Sequence, residues 1–188
     1  MKDIKVSKEK PRFLSNEEIK KLLDSADEQM SEIIKTLVHT GLRISELINL
    51  RWADVDLTRK EIVIQSHDNF RPKSSHFRHI PLPDKFFTVF CGNGRDKTGY
   101  VFTNGNSEKL KIRGLEERFQ KVRAKSGIEH FTPHDLRHTY ASHLAEAGVD
   151  LLTIKELLGH SSITTTMIYA HLTKRHLKDA VNKLNFDL

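Results

Sequence analysis

The sequence predicts a single α+β domain, mainly α-helical with a small antiparallel β-sheet. Three observations predict it. Most apolar residues recur at helical spacing, as in Ile19, Leu22 and Leu23 or Ile112, Leu115, Phe119 and Val122. Only one pair of segments alternates as strands do: Glu61-Ile62-Val63-Ile64-Gln65 and Phe77-Arg78-His79-Ile80-Pro81-Leu82, joined by a polar hairpin loop. A chain of 188 residues is long enough to bury one real core.

Composition narrows the class of partner. Lys and Arg number 31 against 25 Asp and Glu, a net charge of +6 with a pI near 9.4, which favours nucleic acid or another polyanion. Cys91 is the single cysteine, so neither an intrachain disulfide nor a cysteine-based zinc site can form, and a reducing cytoplasm is the expected compartment. No apolar run approaches the roughly 20 residues needed to cross a bilayer, and Met1-Lys2-Asp3-Ile4-Lys5 lacks the apolar stretch of a signal peptide. The expectation is a soluble cytoplasmic protein with no membrane partner.

Residues 1–11 are charged and periodless and read as a linker or arm from a larger protein. Ser15 with Glu18 forms a capping box, so a first helix of about ten residues begins at Asn16. A second helix runs from Glu28 to His39 and stops at Gly41, a left-handed C-cap. The following segment, Thr-Gly-Leu-Arg-Ile-Ser-Glu-Leu, predicts a short helix with Arg43 and Glu46 three apart on one face. A surface ion pair is the plain reading; the alternative is a guanidinium oriented by Glu46 into a phosphate site. Asp54 and Asp56 read as turn residues rather than a metal pair, and Lys73 lies in the hairpin loop. A short apolar helix around Phe86, Phe87 and Phe90, an extended Tyr100-Val101-Phe102 segment and an amphipathic helix from Lys111 to Lys125 follow.

The densest chemistry lies in residues 132–169. Thr132 is a good N-cap and Pro133 suits the first helical position, which sets His134 and Arg137 in the opening turns of a helix and on one face of it. The positive end of the helix dipole suits a phosphate there. Gly159 ends the next helix beside His160, and Ser161 or Ser162 caps another that is expected to carry Tyr169. Zinc is a poor fit to His134 and His138, because Asp stands where the general-base Glu is expected, Arg137 sets a cation beside the metal and no obvious carboxylate third ligand follows; His138 reads as a packed or capping side chain. Metal-free phosphoryl transfer fits better. Attack by a phenol needs neutralised phosphate oxygens, a proton acceptor and a protonated leaving group. Arg43, Arg137 and His160 meet the first need, His134 the second and Lys73 the third, with Tyr169 as nucleophile. Tyr140 and Tyr100 read as core residues.

Taken together, Arg43 in its Thr-Gly-Leu-Arg motif, Lys73 ahead of the Arg-His-Ile-Pro-Leu strand, His134 with Arg137, Leu158-Gly159-His160 and Tyr169 resemble the catalytic domain of the tyrosine recombinases, the phage integrase family. The resemblance covers roughly Arg12 to Leu177. It implies the DNA breaking-rejoining catalytic-domain fold over residues 12–174, a C-terminal helical tail over 175–188, and a missing N-terminal DNA-binding domain ahead of residues 1–11. It also implies a site-specific recombinase that forms a 3′-phosphotyrosyl bond to double-stranded DNA without metal or other cofactor, as a homo-tetramer on paired sites, the tail docking in cis or in trans. The lysine role falls on Lys73, whose Lys-Ser-Ser-His-Phe-Arg loop departs from a Gly-rich turn; His76 is a rival within it. An inert DNA-binding regulator and a type IB topoisomerase are the competing functions.

Overall fold

The computed structural model describes residues 12–67, 70–72, 77–92, 97–173 and 181–182. The predicted arm over 1–11, Lys73 and His76, and all but two residues of the predicted tail lie outside them.

The helix termini follow from local side-chain chemistry. In α1 (Asn16–Ser25) the Glu18 amide donates to Ser15 Oγ at 3.2 Å and the Ser15 amide donates to Glu18 Oε2 at 2.9 Å. Asp27 caps α2 (Glu28–Thr40), which ends at Gly41 with φ 61°. That glycine is obligatory: besides the left-handed backbone, a Cβ there would sit 2.4 Å from Tyr140 Cδ1. The chain then turns into α3 (Ile44–Asn49).

A 3₁₀ turn at Trp52–Asp54 leads into β1 (Val55–Asp56), a two-residue strand where the sequence suggested only a turn. It pairs with β2 (Glu61–Ile64), and β2 pairs with β3 (Arg78–Pro81), all antiparallel, with Val55 opposite Ile62, Ile62 opposite Ile80 and Ile64 opposite Arg78. Alternation sends Ile62, Ile64, Arg78 and Ile80 to the buried face. Asp54 is buried and accepts from Gln65 Nε2, His67 Nε2 and the Arg51 amide, so it anchors the sheet's edge, while Asp56 accepts from the amides of Thr58 and Arg59 in the turn.

Next come α4 (Asp84–Cys91) and α5 (Ile112–Ser126), then α6 (Pro133–Glu146) and α7 (Leu151–Leu158). The Tyr100 segment makes an isolated bridge to Arg51, and Tyr100 is half-buried under the Arg51 guanidinium rather than in the core. Beyond α7 the expected helix is absent. Two 3₁₀ turns, Ile163–Thr165 and Met167–Tyr169, lead into the single turn of α8 (Ala170–Thr173). Ser162 caps the first of them, its Oγ accepting from the Thr164 amide, but the run Ile-Thr-Thr-Thr that follows is β-branched throughout, which disfavours a regular α-helix.

The apolar side chains form two clusters. The larger joins α1 to α5, the sheet and Leu136; the smaller joins Ala141, Ala145, Ile154, Leu158 and Tyr169 beneath α6, α7 and α8. Helix α6 packs on α2 as well as on α7 and α8, so it borders both. No helix among the described residues is long and apolar enough to cross a membrane.

Candidate active site

Glu46 organises one side of the site. Its carboxylate, 1 % exposed, accepts from the Arg43 amide at 2.8 Å, Arg43 Nη1 at 2.9 Å, and Arg78 Nη1 and Nη2 at 3.1 and 2.7 Å. Burial pushes the Glu46 pKa up, but the Arg78 hydrogen bonds and charge, with the Arg43 amide and charge, outweigh it and hold the carboxyl below its ordinary value. Arg78 also donates from Nε to the Leu157 carbonyl at 3.0 Å, tying β3 to α7. Sequence reasoning passed over Arg78. Its signal was parity: it shares the inward register of Ile80, where an arginine needs a buried partner.

Arg137 is held differently. It is 2 % exposed, and its Nη1 and Nη2 donate to the carbonyls of Gly41 at 2.5 Å and Leu158 at 2.6 Å. These carbonyls lie at the C-terminal ends of α2 and α7, where backbone acceptors are unpaired and the helix dipole is negative. Burial first, and the Arg43 charge second, lower the Arg137 pKa to about 9. Three guanidiniums thus stand around one carboxylate, and the surplus positive charge favours an anion.

The imidazoles and the phenol complete the cluster. The Tyr169 hydroxyl lies 2.6 Å from His138 Nδ1, and Tyr169 is 1 % exposed. Burial raises the Tyr169 pKa to about 12, against the pull of Arg137. His160 Nδ1 lies 2.9 Å from the Oγ1 of buried Thr166. Burial, then the charges of Arg137 and Arg43, lower the His160 pKa to about 3. His160 is therefore neutral, and in the tautomer whose Nδ1 accepts the Thr166 hydroxyl hydrogen its own proton lies on Nε2. His134, at the exposed start of α6, packs edge-on against His138 with ring centroids 4.7 Å apart.

Three residues apart on α6, His134 and Arg137 differ in depth. Arg137 turns into the protein while His134 meets His138, four residues on, near the surface. His138, read from sequence as a packing residue, is instead the partner of the phenol. Arg43, Glu46, Arg137, His160 and Tyr169 come together, His134 stands at their edge, and Lys73 lies outside the described residues. An open cleft of about 530 Å³ between β3 and α7 reaches His160, with exposed Phe77 and half-buried Lys155 on its walls.

Guanidiniums on a carboxylate are flanked by imidazoles and a phenol on a mostly helical domain, and the chain belongs to the phage integrase family, whose model matches residues 12–176. It is 34 % identical over 194 residues to a tyrosine recombinase, XerA, of Pyrococcus furiosus, a match that takes in 98 % of this chain and 66 % of the relative. The chain thus spans just under two thirds of that relative's length. Its fold matches the catalytic domain of bacteriophage HP1 integrase with a TM-score of 0.71 at 30 % identity, covering 91 % of this chain and 94 % of that one. At 24 % identity, the Tn1549 transposon integrase, solved in complex with a circular intermediate DNA, shares the fold with a TM-score of 0.76 over 96 % of this chain and 68 % of its own.

Proposed function

We propose that the chain is the catalytic part of a site-specific DNA recombinase in which Tyr169 attacks a backbone phosphate and forms a 3′-phosphotyrosyl bond, releasing a 5′-hydroxyl. The observation that carries the reading is the Tyr169 hydroxyl lying in the same cluster as Arg137, His160 and the Arg43–Glu46–Arg78 network. The names of its relatives, and a structural neighbour solved on DNA, support the same direction.

Arg43 and Arg137 neutralise the nonbridging oxygens as charge builds on them, and the Nε2–H of neutral His160 donates to one of them. Glu46 and Arg78 fix the direction of Arg43. His134 accepts a proton during attack and Lys73 delivers one to the leaving oxygen. Tyr169 begins buried, so the turns that precede it must give way before a phosphate can touch the phenol. Rejoining by another 5′-hydroxyl reverses the same step and conserves the bond energy. We take duplex DNA as the partner, four copies on paired sites as the working assembly, and the cytoplasm as the compartment.

The test uses nicked duplexes with a randomised central stretch, so that no target need be known beforehand. Protein–DNA adducts resistant to sodium dodecyl sulfate should form with the wild-type chain and vanish in Tyr169→Phe, and sequencing the captured DNA should return a defined site. An adduct that persists in Tyr169→Phe overturns the nucleophile. Relaxation of supercoiled DNA without any preferred sequence would favour the topoisomerase reading.

A further inference from the structure

Tyr169 enters the site through the smaller apolar cluster, among Ala141, Ala145, Ile154 and Leu158. None of these side chains offers its hydroxyl a partner, and a buried hydroxyl without one is destabilising. His138 supplies it, at 2.6 Å through Nδ1. The residue that does so follows Arg137 directly on α6, so one helical turn sets both the main phosphate cation and the phenol. The segment bearing Tyr169 is two 3₁₀ turns and one α-turn, which by themselves hold a side chain loosely.

Resting on the reading of Tyr169 as nucleophile, we propose that His138 is a positioning residue: its Nδ1 accepts a hydrogen bond from the Tyr169 hydroxyl and holds the phenol oxygen beside Arg137 until a phosphate arrives and the proton passes to His134. The role needs a neutral ring with a lone pair on Nδ1. Burial, and then the proximity of His134, provide this by lowering the His138 pKa to about 4. Edge-on packing by His134 limits rotation of the His138 ring, so His134 supports the phenol at one remove.

Side-chain geometry supplies a discriminating set of variants. The amide of Asn reaches the place of Nδ1, that of Gln the place of Nε2, and Leu fills the volume with no acceptor. With saturating nicked duplex from the randomised capture, His138→Asn should form adduct within a fewfold of the wild-type rate. His138→Gln and His138→Leu should be slower by about a hundredfold, the scale of a misplacement near 1 Å, with DNA affinity unchanged. In the DNA-free chain, the ¹⁵N spectrum of labelled histidine should show an unprotonated, hydrogen-bonded Nδ1 of His138 that shifts in Tyr169→Phe. A His138→Leu variant that cleaves at the wild-type rate or faster, or an Asn variant as slow as Leu, overturns the proposal. A wild-type chain that forms no adduct at all overturns the parent reading, whatever the spectra show.

Discussion

The elements that carry Arg43, Glu46 and Arg78 bury Leu47, Ile48 and Ile80 in the larger apolar cluster, whereas Tyr169 is itself part of the smaller cluster, with Met167 beside it 53 % exposed. The guanidiniums are fixed by a buried carboxylate and by backbone carbonyls. The phenol is fixed by one imidazole and a few small apolar neighbours. The difference matches the work the proposed reaction asks of each half. Charges that stabilise a transition state act best when already in place, while a buried nucleophile has to be uncovered, and a segment with little packing opens at small cost.

The largest effect should come from breaking the arginine half. Glu46→Ala strands Arg43 and Arg78, and removing one partner of a buried pair costs about 3–5 kcal/mol; the urea midpoint measures it, and a midpoint near that of the wild type would show that the guanidiniums are held by other means. Arg137→Ala should follow, cutting adduct formation about 10²–10³-fold, the scale seen when one transition-state donor is lost. Duplex affinity, read by fluorescence anisotropy, should change little.

A third comparison sets Leu37→Ala against Ile168→Ala. Leu37 is fully buried in the larger cluster and should cost about 2–5 kcal/mol, against about 1–2 kcal/mol for half-buried Ile168. Equal costs from urea unfolding would dissolve the distinction between the halves.

The smallest effect is the pH dependence of the tyrosine half. His138 and His160 titrate near 4 and 3 in the folded chain against an ordinary value of 6.5. Between these values the unfolded chain binds more protons than the folded one, so stability rises with pH across the window and is lost as pH falls from 6.5. His160→Gln should flatten that slope between pH 5 and 7, and an unchanged slope would place its origin elsewhere.

Much of the arginine half was legible in the sequence because its frame is local. Ser15 and Glu18 mark the start of α1, Gly41 marks the end of α2, and Arg43 and Glu46 are three residues apart. Arg78 was missed because its carboxylate lies 32 positions away, and His138 because the phenol it meets is 31 positions on. A sequence states which groups exist; it takes the crossing of α6 over the last turns to say which imidazole meets the phenol. The 3₁₀ form of those turns was readable in principle, since the Ile-Thr-Thr-Thr run argues against an α-helix, but glycine and serine punctuation outweighed it.

The most direct measurement is the chemical identity of the protein–DNA bond. Adduct captured by the wild-type chain, digested with nuclease and trypsin, should give one modified peptide in mass spectrometry, with a nucleotide joined through its 3′-phosphate to Tyr169. A nucleotide carried by Tyr100, Tyr140 or any other side chain, or joined through a 5′-phosphate, would contradict the account.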